Sequence, residues 1–228
     1  MLRLGWVALA TGMVLLLTPL AFVAPVEPAS ADSAPAPAPA PGELNPYVVA
    51  ILESYPRDGT HRYYWPKGSA WAGTTRDLFY RGQRIADGDP EGRCYCCGLT
   101  FEVFIRAYEA WCAKRKVEFR IGSLEAAAVL KLRSDWYCAG AERRGPVAAL
   151  VPRDLGVEVP SIDDAKPGDF AEIWRKNGSG HSVIFLGNEG GAMRYWSTQP
   201  ATNGIGYRTE PFDKAHIARV GRPPAGRR

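Results

Sequence analysis

Three cysteines, Cys94, Cys96 and Cys97, lie within four residues, directly before a stretch whose apolar residues follow helical spacing. A cysteine in the first turn of a helix lies near the positive end of the helix dipole and near backbone N–H groups that have no partner. Both features favour the thiolate, which is the reactive form of the side chain. The segment therefore predicts a cysteine that is activated as a nucleophile.

A histidine that could serve as the partner of this thiol is His181, which follows Gly180 at the start of a β-rich segment. A nearby imidazole lowers the pKa of a thiol and can return the proton to a leaving amine. Unpaired N–H groups at the helix start can stabilise the oxyanion of a tetrahedral intermediate. The two segments together predict nucleophilic catalysis by a Cys-His pair. The other histidines, His61 and His216, lie outside any recognisable motif.

The elements that must position these residues follow from the spacing of the apolar side chains. Periodicity predicts a long helix over residues 97–114, a shorter one over 46–55, and a third that Ser123 caps and that ends near Leu132. Strands are expected over 170–175, 181–186 and 193–198, and loops over 81–93 and 200–206. We expect a loop or an irregular strand over 62–71 and a last helix or strand over 212–220. Helices followed by an antiparallel meander indicate an α+β fold.

In this order the motifs resemble those of the NlpC-type cell-wall cysteine peptidases and, more loosely, those of the CHAP amidohydrolases. The resemblance is carried by Cys96-Cys97-Gly98-Leu99, by Pro167-Gly168-Asp169-Phe170 and by Gly180-His181-Ser182-Val183-Ile184, and it covers about residues 94–199. It implies a papain-like fold in which N-terminal helices pack on an antiparallel sheet. Two residues depart from the family pattern: Cys97 replaces the usual Ser, and Tyr95 replaces the common Asp before the nucleophile.

The resemblance also implies the roles of the reacting residues. By register Cys96 is the nucleophile and His181 is the base, with Cys97 and Cys94 as the alternative nucleophiles. The family has an aromatic stretch before the nucleophile, and the similar segment of this chain includes Tyr64. We therefore expect Tyr64 to contact substrate.

The third catalytic residue lies on the next strand in the resembled families, where it orients the histidine. A hairpin centred near residue 190 places Gln199 opposite His181, and residues two positions apart on a strand share a face. We therefore expect Gln199 in this role, because its amide oxygen can accept the imidazole N–H. Ser197 and Asn203 are the alternatives.

Five cysteines is an odd number. One reactive thiol and two disulfides would account for it, and Cys112 with Cys138 is the pair that we expect. A zinc site would need a second pair of ligands, which the sequence lacks, so no metal or other cofactor is expected. Cys94 and Cys97 have the Cys-x-x-Cys spacing of a thiol oxidoreductase, but that interpretation leaves the Gly-His strand unexplained.

The two ends of the chain differ in composition from its middle. Residues 1–31 have the features of a secretory signal peptide, with Arg3 before an apolar run and small residues at the end. Residues 32–42 are an Ala/Pro-rich linker, 43–222 the NlpC-type hydrolase domain, and 223–228 a basic tail. We therefore expect a secreted or periplasmic protein of the cell envelope, with no membrane span after cleavage of the signal.

The composition sets the remaining limits. The chain has 228 residues, of which 46% are hydrophobic and 23% charged, which excludes a wholly disordered chain and a multi-span membrane protein. The net charge of +4 does not indicate a nucleic-acid partner. We expect a monomeric exported cysteine hydrolase that cleaves amide bonds, by resemblance in peptidoglycan stem peptides. The alternatives are a CHAP-type N-acetylmuramoyl-L-alanine amidase, a catalytically silent wall-binding module and a thiol–disulfide exchanger.

Overall fold

A computed structural model describes residues 38–66 and 71–222 of the chain. The expected signal peptide, the first part of the expected linker (32–37) and the basic tail lie outside the described residues. The described chain contains four α-helices: α1 (Asn45–Leu52), α2 (Cys96–Arg115), α3 (Ala126–Trp136) and α4 (Pro146–Leu150). Its eight strands are β1 (Leu78–Tyr80), β2 (Gln83–Ala86), β3 (Gly156–Val159), β4 (Phe170–Trp174), β5 (Gly180–Glu189), β6 (Ala192–Gln199), β7 (Gly204–Glu210) and β8 (Lys214–Val220). The predicted α+β class is confirmed.

The strands β3 to β8 form one antiparallel sheet in the order β3-β8-β4-β5-β6-β7. Strands β4 to β6 correspond to the three predicted strands of the meander, and β7 adds a fourth. Strand β8 then returns along the sheet to lie between β3 and β4. The short strands β1 and β2 pair only with each other. This topology puts the start of β5 and the end of β6 at one end of the sheet, beside the N-terminus of α2.

Both faces of the large sheet are buried. One face packs against the helices through Phe170, Ile184, Trp196 and Ala218. The opposite face forms a second cluster of apolar side chains, which includes Ala171, Val183, Phe185, Tyr195 and Ile217. Alternate residues of each strand therefore point into two different cores, as the two-residue period of a strand requires.

Helix α2 is the central helix of the fold and confirms the prediction for residues 97–114 to within one residue at each end. Phe104 on α2 packs against Trp136 of α3 and Phe170 of β4, with ring-centroid distances of 5.1 and 6.2 Å. These contacts fix α2 against both α3 and the sheet. None of the helices in the described ranges combines the length and apolar character that a membrane crossing requires.

Several predicted boundaries were wrong. Ser123 does not cap α3, because residues 121–124 form a turn closed by the Leu124 N–H and the Ile121 carbonyl, and Glu125 is the N-cap residue. The expected loop 81–93 contains β2, and the expected loop 200–206 contains the start of β7. The segment 212–220 is a strand for most of its length. Strands β2 and β7 pair with the strands directly before them, β1 and β6, and the Gly, Asp, Asn and Pro residues around their turns are the composition that predicted loops.

The last residues of the expected linker pack against the fold. The Gly42 N–H donates to the Val220 carbonyl at 3.0 Å, and the Arg222 N–H donates to the Pro39 carbonyl at 2.8 Å. Pro39 is buried. The folded unit therefore begins at about Pro39, a few residues before the predicted boundary at 43.

Gly98 allows the start of α2 to approach the preceding loop closely. A Cβ at this position would lie 2.4 Å from the carbonyl oxygens of Ala72 and Gly73. Alanine is normally favoured over glycine in a helix by about 1 kcal/mol. We nevertheless expect Gly98→Ala to lower the free energy of unfolding by about 1–3 kcal/mol, because the added methyl group overpacks the contact.

Chemical denaturation of the unsubstituted protein and the Gly98→Ala variant checks this expectation, and Gly140→Ala is the control. A Cβ at Gly140 meets nothing within 4 Å, so that variant should match the unsubstituted protein. Equal free energies of unfolding for all three proteins would contradict the close approach.

Candidate active site

Cys96 is the first residue of α2. The preceding residue, Tyr95, is extended with φ −131° and ψ 165°, and its side chain does not cap the helix. The Tyr95 carbonyl accepts the Leu99 N–H at 2.9 Å, which leaves the earlier N–H groups of the first turn without helical partners. Cys96 therefore lies where the sequence predicted, at a helix start that favours negative charge.

The structure brings Cys96 and His181 together. Both residues line one cavity, and the imidazole of His181 is among the groups that lower the pKa of the Cys96 thiol. Nε2 of His181 is buried and has no hydrogen-bond partner among the described residues. One turn along α2, the Thr100 hydroxyl lies 2.9 Å from the hydroxyl of Ser182, the residue after the histidine. This second contact holds β5 against α2 beside the reacting pair.

The surroundings of Cys96 lower the pKa of its thiol well below the ordinary 9.0. The main cause is a hydrogen bond that the Cys97 thiol donates to the Cys96 sulfur, and His181 adds a hydrogen bond and a charge interaction. The backbone N–H of Ser182 contributes in the same direction, whereas burial opposes the shift. A thiolate that keeps these donors is a ready nucleophile.

The neighbouring thiols are poor candidates for the nucleophile. Burial raises the pKa of Cys94 to about 12, and its sulfur lies 3.9 Å from the His61 carbonyl oxygen. Burial and the hydrogen bond that it donates to Cys96 raise the pKa of Cys97 well above 9.0. Of the three thiols in the cluster, Cys96 is therefore the one whose surroundings favour the thiolate.

All five cysteines are free thiols, so the expected disulfides are corrected. Cys112 lies near the far end of α2, sixteen residues or about 24 Å along the helix from Cys96. Cys138 instead lines a cavity together with Cys96 and Cys97. The length of α2 therefore separates the two members of the expected pair.

Gln199 lies at the end of β6 and lines the same cavity as His181. Extending the β5–β6 register from the Ile184–Trp196 pair by three residues places it opposite His181, as predicted. Its Oε1 accepts a hydrogen bond from the Tyr195 hydroxyl at 2.8 Å, and its Nε2 is buried without a partner. Gln199 and His181 thus each have one unpaired nitrogen in this region.

The two alternatives to Gln199 are engaged elsewhere. The Ser197 hydroxyl donates to the Ser182 carbonyl at 2.7 Å. Asn203 has a left-handed backbone with φ 50° and follows the short turn of helix after β6. Neither residue lines a cavity with Cys96.

The aromatic segment contributes to the site through residues other than Tyr64. Tyr63 and Trp65 line the cavity beside Cys96, whereas the Tyr64 ring stacks on Trp71 at a centroid distance of 6.0 Å. The Arg93 guanidinium covers Tyr64 at 4.2 Å from its ring centroid. The structure therefore places the neighbours of Tyr64, and not Tyr64, on the cavity wall.

Two cavities meet at Cys96. One, of about 390 Å³, has three thiols and several aromatic side chains on its walls; it is lined by Tyr63, Trp65, Cys96, Cys97, Tyr137, Cys138, Arg143, Glu172, Trp174 and Gly180. The other, of about 410 Å³, contains His181 and Gln199, with Arg175 and Arg208 on its walls. Tyr63, Cys96 and Gly180 belong to both. A substrate could therefore extend to either side of the thiol.

Sequence reasoning missed Glu172, which is 5% exposed on β4 and faces the first cavity. The sequence feature that could have indicated Glu172 is its position as the one charged residue of the strand Phe170–Trp174. Burial raises the pKa of this carboxyl well above 4.5, the nearby Cys96 adds to the shift, and Arg143 and Arg175 oppose it. In residues 38–66 and 71–222, no group of three or more Cys, His, Asp or Glu is arranged to hold a metal ion.

The lowered pKa of Cys96 predicts its titration. A thiolate is present above the pKa of its group, so the Cys96 thiolate should persist as the pH falls well below 9.0. The difference in ultraviolet thiolate absorbance between the unsubstituted protein and a Cys96→Ala variant measures it. A difference that disappears near pH 9.0 would contradict the lowered pKa.

Comparison of the chain with protein-family models, with curated proteins and with solved structures finds no match.

Proposed function

We propose that the protein is a thiol hydrolase that cleaves amide bonds, with Cys96 as the nucleophile and His181 as the general base and acid. The observation that carries the proposal is the placement of Cys96 at the N-terminus of α2, where two cavities meet and where it shares one of them with His181. The lowered pKa of the Cys96 thiol supports the same role. A helix-start position beside open cavities, a neighbouring histidine and a lowered thiol pKa occur together at reactive cysteines and are not required of a structural one.

In the first half of the reaction, the Cys96 thiolate attacks the carbonyl carbon and forms a C–S bond. The carbonyl electron pair moves to oxygen, where the unpaired N–H groups of the first turn of α2 can stabilise it. Collapse of this intermediate breaks the C–N bond. The imidazolium of His181 gives its proton to the departing nitrogen, which leaves as an amine.

In the second half, water attacks the thioester carbonyl while the neutral imidazole of His181 takes a proton from the water. The C–S bond then breaks, so that the product is a carboxylic acid and the thiolate and imidazolium are restored. Gln199 is the orienting residue in this proposal. Its Nε2 and the Nε2 of His181 are both buried without a partner among the described residues, and the two residues line one cavity. Rotation about the terminal bond, which exchanges the amide oxygen and nitrogen, would turn an acceptor toward this region.

The motifs that resemble the NlpC-type peptidases support a papain-like arrangement and a substrate in peptidoglycan stem peptides. Helix α2 packs on the antiparallel sheet, with the nucleophile on the helix and the base on a strand, which fits that arrangement. The signal-peptide features of residues 1–31 fit a secreted or periplasmic enzyme of the cell envelope. The protein would act there as a monomer.

Mass spectrometry of purified peptidoglycan fragments tests this function. Incubation with the reduced protein should produce fragments that have gained one water, each with a new amine and a new carboxyl group. Cleavage within the stem peptide supports the peptidase, and cleavage between sugar and peptide would assign the amidase activity instead. Protein whose thiols have been alkylated with iodoacetamide is the matched control, and equal digestion by both samples would contradict a thiol mechanism.

A further inference from the structure

A buried carboxyl group that the hydrolytic mechanism does not use lies beside Cys96. Glu172 is on β4, is 5% exposed and lines the first cavity. In the part of the chain that the structure describes, no side chain donates a hydrogen bond to Glu172 or lies within ion-pair distance of it. A buried carboxylate without a cationic partner is unfavourable.

Two glycines make room for this carboxyl group. A Cβ on Gly180 would lie 2.8 Å from Oε1 of Glu172, and a Cβ on Gly145 would lie 3.1 Å from Oε2. Backbone therefore approaches both oxygens closely, and no side chain at these two positions covers them. The carboxyl group therefore lies between these two backbone segments on the wall of the cavity.

The walls around Glu172 are aromatic. Tyr63, Trp65, Tyr137 and Trp174 all line the cavity of about 390 Å³. Aromatic faces attract cations, and the Trp174 ring already carries one, since the Arg143 guanidinium lies 4.0 Å from its centroid. A cavity with aromatic walls and one carboxylate can bind a cation on an aliphatic chain, because the carboxylate pairs with the charge and the rings pack against the chain.

From this arrangement we infer that the cavity binds a primary ammonium group of the substrate, with Glu172 as its counter-ion. The inference rests on the proposed function, because it concerns the substrate of the same nucleophile. The ammonium makes the direct ion pair that neither Arg143 nor Arg175 makes with Glu172, and the aromatic rings contact the methylene groups that carry it. The site thereby selects amide substrates with an amine close to the bond that is cleaved.

Among the described residues, the cavity on the other side of Cys96 is lined by two arginines and no carboxylate, whereas the first cavity has Glu172 beside Arg143, and this difference gives the substrate a direction. Arg175 donates to Glu210 at 3.0 Å, and Arg208 lies 3.4 Å from the same carboxyl group. Two guanidinium groups thus share one carboxylate beside His181. A substrate ammonium is repelled there and directed toward Glu172.

Two chloroacetamides of equal length, one ending in an ammonium and one in a hydroxyl group, test the inference. In each case the Cys96 thiolate displaces chloride and forms a thioether, which mass spectrometry quantifies. We expect the ammonium reagent to label Cys96 about tenfold faster than the hydroxyl reagent. Equal labelling rates would overturn the inference.

Two variants identify the carboxylate responsible. In Glu172→Gln the ratio of the two rates should fall to about one. Glu142→Gln is the matched control, because it removes the same charge from an exposed residue nearby that does not line this cavity. An unchanged ratio in Glu172→Gln, or an equal fall in both variants, would overturn the assignment to Glu172.

Neutral iodoacetamide separates this inference from the proposed function, because it reports the nucleophile alone. Slow labelling of Cys96 without selectivity would contradict the proposed function and the inference with it. Fast, selective labelling without an ammonium preference would overturn the inference only.

A competition experiment with propylammonium chloride tests the inference on the unsubstituted protein. Propylammonium chloride should slow labelling of Cys96 by the hydroxyl reagent more than equimolar sodium chloride does. Equal slowing by the two salts would overturn the inference.

Discussion

Replacement of Cys96 with alanine is expected to lower the hydrolysis of peptidoglycan fragments by about 10⁴-fold or more. No other thiol is expected to take over the reaction, because burial raises the pKa of all four: Cys94, Cys97, Cys112 and Cys138. Initial rates of fragment cleavage, quantified by mass spectrometry, measure the loss.

The matched control is Cys97→Ala, which removes the adjacent thiol and leaves the nucleophile. It removes the hydrogen bond that Cys97 donates to the Cys96 sulfur, so the Cys96 pKa should rise and the rate should fall modestly, by about tenfold at most. Loss of activity in Cys97→Ala with retention in Cys96→Ala would reverse the assignment of the nucleophile.

Replacement of His181 with alanine is expected to lower turnover by about 10³-fold. The variant loses both the base that activates the thiol and the acid that protonates the leaving nitrogen. It also loses a hydrogen bond and a charge interaction that lower the pKa of Cys96, so thiolate absorbance should require a higher pH than in the unsubstituted protein.

His216→Ala is the control for this experiment. His216 lies on β8 and lines a different cavity, so its loss should leave both turnover and thiolate absorbance unchanged. Full activity of His181→Ala would contradict the proposed role of the histidine, and equal losses in the two variants would mean that the effect is not specific to the active site.

The reacting pair could be predicted from the sequence because both of its signals are local. A cysteine at the start of an amphipathic segment and a histidine at the start of a β-rich segment need no knowledge of tertiary structure. The pairing of His181 with Gln199 depends on a strand irregularity that the sequence does not reveal. The hairpin turns at Gly190–Gly191, and that turn alone would place Pro200 opposite His181; the irregularity between Phe185 and Gly187 shifts the register to Gln199.

Other parts of the site depend on tertiary packing that no local pattern encodes. Both faces of β4 are buried, so the two-residue period could not show that Glu172 faces a cavity. The expected Cys112–Cys138 disulfide was wrong because spacing along the chain does not show that α2 separates the two thiols. Likewise, β8 lies between β3 and β4 only because the end of the chain returns across the sheet.

The most direct test of the central claim is to locate the first thiol that reacts with a limiting amount of iodoacetamide in the reduced, full-length protein at mildly acidic pH. Peptide mass spectrometry then assigns the label among the five cysteines. We predict that Cys96 is labelled before the other four, because its pKa is lowered well below 9.0. Labelling that favours Cys97 or Cys138, or that spreads evenly over the accessible thiols, would contradict an activated Cys96.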